Sequence, residues 1–233
     1  VYEEDEESRY SLTVLEDIAR STATILSDDA QIQVESEEET FELMIANSVR
    51  IRGIIDRVDR LSDGSLGIVD YKSSRNPFDI QKFYNGLSPQ LVTYVQALRD
   101  KKGLSESEHI FGAMYLHMQE PKVDLSSVAT TEKILENLAK ELTYRGLFLE
   151  DEKAYLANGR YHLNDSLYSQ EELEILLAYN QNLYLKAAEQ IKKGHFLINP
   201  YSEDGKSVQG DQLKAITRFE SDGHMPYARK WYK

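Results

Sequence analysis

A strand–turn–strand pattern between residues 49 and 71 places the strongest constraint on the fold. Two runs, Val49–Val58 and Leu66–Tyr71, flank the sequence Ser62-Asp63-Gly64, which is typical of a β-hairpin turn. Both runs carry apolar residues at neighbouring positions, so both faces of the hairpin must be covered by other parts of the chain. The sequence therefore predicts a strand pair that lies inside a sheet.

The segments around the hairpin are predicted to be helices and further strands. Periodic apolar residues indicate helices near 9–27, 88–103, 131–144 and 169–193, and β-type runs indicate strands near 31–34, 41–45 and 110–117. Ser88 is expected to cap the second helix, and Ser169 and Glu172 form a capping box at the last. This order predicts a mixed sheet flanked by helices, of the α/β or α+β class. Residues 199–233 are expected to form an irregular tail.

Composition excludes several kinds of chemistry. The 233 residues include 40 acidic and 27 basic side chains, so the formal net charge is −13, and they include no cysteine. Disulfides, thiolate zinc sites, cysteine nucleophiles and cysteine-ligated iron–sulfur clusters are therefore excluded. No apolar run approaches the roughly 18 to 20 residues of a membrane span, and the N-terminus is acidic, unlike a signal peptide. We expect a cytoplasmic protein with no membrane partner.

The register of the hairpin brings two carboxylates together. If Ser62-Asp63-Gly64 is a three-residue loop, Asp56 lies directly across from Asp70, where like charges are destabilising. Lys72 projects from the same face as Asp70, because side chains alternate along a strand. Carboxylate oxygens suit Mg²⁺ or Mn²⁺ better than zinc, so the pattern predicts a divalent metal site. The alternative is a surface ion pair between Asp70 and Lys72, with Asp56 in a solvated run of charges.

The helix that follows the hairpin carries a second pair of polar residues. Gln90 and Tyr94 are spaced i and i+4, so they share one helical face. That face is offset from the apolar stripe of Leu91, Val95 and Leu98. A packing role for Tyr94 and a first-turn role for Gln90 are the alternative to a place in a functional site.

The order of these motifs resembles that of a nuclease family. It runs through Gly53-Ile54-Ile55-Asp56-Arg57 and Ile68-Val69-Asp70-Tyr71-Lys72-Ser73-Ser74 to Gln90-Leu91-Val92-Thr93-Tyr94. This is similar to the RecB-like nucleases of the PD-(D/E)XK superfamily, and more narrowly to the C-terminal nuclease domain of AddB- or RexB-type subunits of bacterial helicase–nucleases. The resemblance implies a restriction-endonuclease-like fold. It also implies that residues 1–233 are a single nuclease domain from a longer subunit.

The resemblance also implies roles for individual residues. Asp56, Asp70 and the backbone carbonyl of Tyr71 would be metal ligands, and Lys72 would be the catalytic lysine. The upstream catalytic acid would be Glu38, with Glu35 and Glu39 as close competitors. Three residues are expected to support the site or contact DNA: Gln90, Tyr94 and Arg57. For Arg57, pairing with Asp59 or with a glutamate is an equal alternative to a phosphate contact.

Two departures from that family concern the ends of the chain. Many AddB-type domains carry iron–sulfur cysteines in the tail, at positions that correspond here to Val208, Asp211 and Thr217. None of these residues can bind a cluster, so the chain is expected to belong to a cluster-free, RexB-like branch. The family also has a histidine on an N-terminal helix, whereas all five histidines here follow the core motifs. The matching segment is therefore expected to be missing.

The resemblance implies a Mg²⁺- or Mn²⁺-dependent deoxyribonuclease that hydrolyses phosphodiester bonds, exonucleolytically, on an unwound DNA strand. It would act with an AddA- or RexA-type helicase subunit in double-strand break repair and recombination. The chain contains no glycine-rich phosphate loop, so ATP would be used elsewhere in the assembly. Its negative charge predicts weak DNA binding in isolation. A stand-alone RecB-like exonuclease and a non-cleaving scaffold for DNA or partner binding are the alternatives.

Overall fold

The computed structural model describes residues 32–73, 78–104, 109–118, 142–164, 166–202, 204–208 and 210–230, together with eight positions between 12 and 23. Those eight positions are helical, within the helix predicted for 9–27. Most of the helix predicted for 131–144 lies outside the described residues. At its described end that prediction is wrong, because Tyr144 begins a strand. A short apolar segment does not distinguish a helix end from a buried strand by its periodicity alone.

Six strands form one mixed sheet in which neighbours follow the order of the chain. They are β1 (Ile32–Ile45), β2 (Val49–Leu61), β3 (Leu66–Lys72), β4 (Ile110–His117), β5 (Tyr144–Leu149) and β6 (Leu167–Tyr168). The first three form an antiparallel meander, β4 joins β3 in parallel, β5 is antiparallel to β4, and β6 is parallel to β5. The predicted meander and mixed sheet are confirmed. Strand β1 is one long strand where two short runs were expected.

The hairpin between β2 and β3 has the register that its turn predicts. Arg57 pairs with Val69, which is the register that sets Asp56 across from Asp70. Gly64 in the turn has a φ of 94°, a conformation that glycine adopts without steric cost. A short turn thus fixes which residues meet at the far end of the hairpin.

Six α-helices are described beyond the N-terminal helical positions. They are α1 (Ile80–Tyr84), α2 (Gln90–Lys102), α3 (Lys153–Leu156), α4 (Gln170–Lys192), α5 (Lys214–Thr217) and α6 (Ser221–His224). The capping box of Ser169 and Glu172 is present at α4. The N-cap of α2 is Pro89 without a side-chain cap, so the prediction for Ser88 is wrong. Helix α2 ends at Gly103, which has the left-handed conformation common at helix ends.

Two apolar clusters cover the two faces of the sheet. One face packs on α2 and α4, in a buried cluster that includes Ile68 of β3, Leu91 of α2 and Leu176 of α4. The other face carries sheet side chains such as Phe148 of β5, which cluster with Leu156 of α3. The buried run of β3 contributes to both faces, with Ile68 in one cluster and Val69 in the other. The expectation that the hairpin is covered on both sides is therefore confirmed.

The pairing of β4 with β5 depends on Gly146. A Cβ atom at this position would overlap the backbone carbonyl oxygen of Ala113 on the adjacent strand. We expect Gly146→Ala to lower the free energy of unfolding by about 3 kcal/mol, because a backbone clash within a sheet cannot be relieved by a side-chain rotation. Urea unfolding measures this. Gly223→Ala is the control, since a Cβ at Gly223 meets no atom within 4 Å, and equal stability of both variants would contradict the prediction.

The tail is more ordered than its composition suggests. Its described part contains β7 (Tyr201–Ser202), which pairs in parallel with β8 (Arg229–Lys230). Val208 and Thr217, two of the positions that correspond to cluster cysteines, line an apolar groove together with Phe219. Asp211 begins a short 3-10 turn. Among the described residues, no helix combines the length and apolar character needed to cross a membrane.

Candidate active site

Strand β3 brings Asp70 and Lys72 together at its C-terminal end. The Nζ atom of Lys72 lies 2.5 Å from Oδ2 of Asp70, so both side chains occupy the same side of the strand, as alternation predicts. Asp70 is only 2% exposed, whereas the Lys72 side chain is 30% exposed. The alternative of a surface ion pair is therefore not what forms. A buried carboxylate is paired with a lysine that reaches solvent.

Asp56 is held at the point where β2 and β3 separate. The described pairing between the strands ends at Arg57 and Val69. One residue further on, Oδ2 of Asp56 accepts a hydrogen bond of 2.8 Å from the backbone N–H of Tyr71. The carboxylate thus takes the place of a strand carbonyl. This contact fixes Asp56 beside the backbone that connects Asp70 to Lys72.

The electrostatics of Asp70 indicate a shortage of positive charge. Burial raises the pKa of its carboxyl group above the ordinary value, the hydrogen bond and charge of Lys72 lower it, and the negative charge of Asp56 raises it again. The net direction is upward. Ionised Asp70 is therefore disfavoured beside Asp56 in the protein alone, and a bound cation would relieve that penalty.

Helix α2 supplies the side chains that orient Asp70. Nε2 of Gln90 is 2.9 Å from Oδ1 of Asp70 and 2.8 Å from the hydroxyl oxygen of Tyr94. The i, i+4 spacing thus places both helix residues on the face that meets β3. The ring of Tyr94 packs edge-on against Phe41 of β1, with 5.7 Å between ring centroids. Tyr94 therefore belongs to the core as well as to the candidate site.

Tyr115 is a site residue that the sequence did not reveal. It lies on β4 directly beside Asp70, and Lys72 Nζ is 5.2 Å from the centroid of its ring. Burial raises the pKa of Tyr115 to about 12, and a hydrogen bond with Ser88 opposes that change. An aromatic face at this distance attracts an ammonium group. No spacing in the sequence connects Tyr115 with Lys72, because the parallel pairing of β3 and β4 joins segments that are distant in the chain.

The three candidates for the upstream acid have different surroundings. Glu35 forms an ion pair of 2.9 Å with Arg60, whose hydrogen bond is the main cause that lowers the pKa of Glu35 to about 2. Glu39 forms an ion pair of 3.1 Å with Lys101, on the C-terminal turn of α2. Both carboxylates thus already pair with basic residues. Glu38 remains the best candidate for a role in the site.

Glu38 faces the same open cleft as Asp56. The cleft is lined by Glu37, Glu38, Asp56 and Tyr71. Glu38 lies between two residues that pair with Arg57 and Ile55, which places it opposite Asp56. Its φ of 47° is in the left-handed region, which costs a residue other than glycine about 1 to 3 kcal/mol. Such strained residues cluster at functional sites, and this one sits at the edge of the cleft.

Arg57 lies on the opposite face of the sheet and does not point to solvent. It is 5% exposed, and its guanidinium donates to Asp59 at 2.8 Å and to the hydroxyl oxygens of Tyr71 and Tyr144 at 2.7 Å each. Burial lowers the pKa of Arg57, but the effects of Tyr144 and Asp59 outweigh it and the net change is upward. The guanidinium is therefore buried and turned away from solvent, and the alternative pairing with Asp59 is the one that forms.

The donor set suits a hard divalent ion. Asp56 and Asp70 offer carboxylate oxygens, and the Tyr71 carbonyl lies between Asp70 and Lys72 along the backbone. Within the described ranges, no three histidine, cysteine, aspartate or glutamate side chains are grouped so as to hold an ion by themselves. Mg²⁺ commonly binds through one or two carboxylates and retains several water molecules. Two carboxylates with an unfavourable mutual charge therefore fit such an ion.

Comparison with known proteins identifies the family. Residues 1–206 match the model of the PD-(D/E)XK nuclease superfamily. The chain is 70% identical to a protein of Streptococcus mutans that is named as a subunit of an ATP-dependent helicase/deoxyribonuclease, over 233 residues, which is 100% of this chain and 22% of that protein. A protein of the same name from Streptococcus agalactiae is 64% identical over 100% of this chain, which is 22% of that protein. A third, from Streptococcus equi subsp. zooepidemicus, is 60% identical over 99% of this chain, which is 21% of that protein. The chain thus spans about a fifth of the length of these relatives, and it belongs to the PD-(D/E)XK nuclease superfamily.

Proposed function

We propose that this chain is the nuclease domain of an ATP-dependent helicase–nuclease subunit, and that it hydrolyses phosphodiester bonds of an unwound DNA strand with Mg²⁺ or Mn²⁺. The observation that carries the proposal is the meeting of Asp56, Asp70 and Lys72 where β2 and β3 separate. The names of the streptococcal relatives support the helicase context. The assembly would act in the cytoplasm, in double-strand break repair and recombination. It would degrade the DNA strand from an end, as an exonuclease.

The carboxylates and the lysine have separate tasks in this proposal. Asp56, Asp70 and the Tyr71 carbonyl would hold the ion, with Glu38 as the upstream acid at the cleft. A divalent ion at this position supplies Lewis acidity toward a phosphate oxygen and toward water.

Lys72 would contribute a charged hydrogen-bond donor beside the scissile phosphate. Its Nζ is held between Oδ2 of Asp70 and the ring of Tyr115, but the side chain still reaches solvent. From there it can orient a water molecule or donate to a phosphate oxygen as negative charge develops. Gln90 and Tyr94 would keep the Asp70 carboxylate in one orientation while the strand binds.

Cleavage of a 5′-labelled single strand tests the proposal. We expect products with Mg²⁺ or Mn²⁺ and none with EDTA, and the product ladder shows whether cleavage proceeds from an end. The assay should use the 233-residue chain and also the complete subunit together with its helicase partner. If neither preparation cleaves DNA with either ion, the nuclease proposal is wrong and the non-cleaving scaffold is favoured.

The isolated chain is expected to cleave more slowly than the complete assembly. Its net charge is −13, so it neutralises few phosphates and its activity should depend weakly on salt. A helicase that threads the strand raises the local concentration of DNA at the site. Rates of both preparations on one labelled strand, at several salt concentrations, measure the difference. Equal rates and equal salt slopes would favour a stand-alone exonuclease instead.

Gln90→Leu is expected to reduce cleavage by roughly tenfold to a hundredfold. The substitution removes the hydrogen bond to Asp70, and a hydrogen bond to a charged group contributes about 1.5 to 3 kcal/mol. Single-turnover cleavage at saturating Mn²⁺ is the measurement. Gln170→Leu is a matched control, because it removes an amide–carboxylate hydrogen bond of the same 2.9 Å length to Glu174 on the exposed surface of α4. A similar loss in both variants would argue against a role for Gln90 in the site.

A further inference from the structure

The buried guanidinium of Arg57 contacts the side chain of Tyr71, on the face of the sheet opposite the candidate active site. Tyr71 follows Asp70 on β3, so its side chain points to the opposite face of the sheet from that of Asp70. On that face the Tyr71 hydroxyl accepts a 2.7 Å hydrogen bond from Nη1 of Arg57. The guanidinium carbon lies 5.6 Å from the centroid of the Tyr71 ring. Arg57 therefore contacts both the hydroxyl group and the ring of this residue.

Tyr71 connects this network to the site through its backbone. Its N–H donates to Oδ2 of Asp56, so the side chain of Tyr71 is held on one face of the sheet while its backbone holds a carboxylate at the cleft. Rotation of the Tyr71 peptide would break the contact with Asp56. It would also move the carbonyl that is a candidate ligand. The position of the Tyr71 backbone is thus decisive for the donor set.

The network has the properties of a rigid support. Arg57 and Asp59 are 5% and 1% exposed, and their ion pair spans 2.8 Å. The planar guanidinium donates in fixed directions, and hydrogen bonds from a charged donor are roughly twice as strong as neutral ones. In metal sites generally, groups behind the ligands hold them in orientation, and their loss weakens metal binding.

We propose that Arg57, acting through the hydroxyl group of Tyr71, is a positioning residue that holds Asp56 and the Tyr71 carbonyl in the geometry for binding a divalent ion. The inference rests on the proposed metal site at Asp56 and Asp70. It assigns a function to an arginine that lies on the far side of the sheet from Asp70 and does not touch the cleft.

The structure provides an internal control for this role. The same guanidinium donates a second 2.7 Å hydrogen bond, from Nη2 to the hydroxyl group of Tyr144 on β5. Tyr144 is 2% exposed and belongs to a strand that carries none of the candidate ligands. Tyr71→Phe and Tyr144→Phe thus remove equivalent hydrogen bonds from one donor. Only the first lies next to the site.

The test is calorimetric titration of Mn²⁺ into the purified 233-residue chain and its variants, without DNA. Tyr71→Phe is expected to weaken Mn²⁺ binding by about tenfold, the lower end of what loss of such a support costs. Tyr144→Phe should stay within about twofold of the wild type, because its lost hydrogen bond does not reach the ligands. Asp56→Asn is the positive control and should lose binding. Single-turnover cleavage should then recover in Tyr71→Phe as the Mn²⁺ concentration is raised.

The outcomes separate this inference from the proposal on which it rests. If the wild type binds Mn²⁺ and the two tyrosine variants bind equally well, Arg57 only stabilises the fold and the inference is overturned. If the wild type binds no Mn²⁺, the metal site itself is wrong and both fall. If Tyr71→Phe does not fold, Arg57→Lys is the second test. This variant retains the positive charge beside Asp59, but a single amine cannot reproduce the two hydrogen bonds that the guanidinium donates to the hydroxyl groups of Tyr71 and Tyr144. A folded Arg57→Lys with wild-type affinity would overturn the inference.

Discussion

Asp70→Asn is expected to abolish metal-dependent cleavage while the metal-free protein stays folded. The substitution removes one of the two carboxylates that would hold the ion. A loss of about 4 kcal/mol in stabilisation of the transition state corresponds to about a thousandfold in rate, and loss of a catalytic ion has effects of this order. Single-turnover cleavage with Mg²⁺ and with Mn²⁺ measures the loss. Asp100→Asn, at an exposed position on α2, should cleave at the wild-type rate.

The same substitution is expected to change how stability depends on pH. The pKa of Asp70 is raised in the folded protein by burial, against the effect of Lys72, and by Asp56. A raised pKa means that the stabilising contribution of the protonated group is present below the unfolded-state pKa, near 3.9, and is lost as pH rises through the folded-state pKa. Asp70→Asn has no such loss. Its melting temperature in EDTA should equal or exceed that of the wild type at neutral pH, and the difference should vanish below about pH 4.

Two results would contradict these expectations separately. A variant that cleaves at the wild-type rate would eliminate Asp70 as a ligand. A variant whose melting temperature falls at pH 7 but not at pH 4 would show that the ion pair with Lys72 stabilises the protein by more than burial and Asp56 destabilise it. The first result concerns function, and the second concerns only the balance of charges in the metal-free protein.

Asp59→Ala is expected to destabilise the fold by about 3 to 5 kcal/mol, a large part of the stability of a typical domain. Asp59 is 1% exposed and pairs with Arg57 at 2.8 Å, so its removal leaves a buried guanidinium without its carboxylate. Urea unfolding of the metal-free chain measures the change. The control is Glu35→Ala, which removes the partner of the partly exposed Arg60 and should cost less than about 1 kcal/mol.

A double substitution distinguishes loss of a charge pair from loss of packing. Arg57→Met combined with Asp59→Leu removes both charges and retains apolar volume, so much of the lost stability should return. Stability as low as that of Asp59→Ala alone would show that the hydroxyl groups of Tyr71 and Tyr144 need the guanidinium as well. A cost below about 1 kcal/mol for Asp59→Ala would contradict the buried-pair account.

The features that sequence predicted correctly are governed by local geometry. The Ser62-Asp63-Gly64 turn determines the pairing of β2 with β3, and alternation along β3 determines that Asp70 and Lys72 share a face. Helical spacing similarly places Gln90 and Tyr94 together. Each of these relations spans at most a hairpin or one turn of helix. The candidate site could be outlined because its main residues lie close to one another in the chain.

The sequence did not predict contacts between residues that lie far apart in the chain. For Arg57, the sequence left a phosphate contact and pairing with Asp59 or a glutamate as equal alternatives, and it did not predict the hydrogen bond to Tyr144, which lies 87 positions away. Tyr115 reaches Lys72 only because β4 joins β3 in parallel. The acidic run of β1 has a register shift between Val34 and Ser36, so counting along the strand does not tell which glutamate faces the cleft.

Because β2 and β3 separate at the candidate site, the backbone amide of Tyr71 can serve as an NMR reporter for that site. Where a strand carbonyl would normally accept the N–H of Tyr71, a carboxylate does so instead. The exchange rate and chemical shift of that one amide therefore depend on the position of the Asp56 carboxylate. An Asp56 variant would disturb catalysis and the end of the sheet together, whereas Asp70 can be changed without breaking this contact. A nuclease-dead protein intended for binding studies is thus better made at Asp70, with the Tyr71 amide followed by NMR to show that the end of the hairpin has kept its structure.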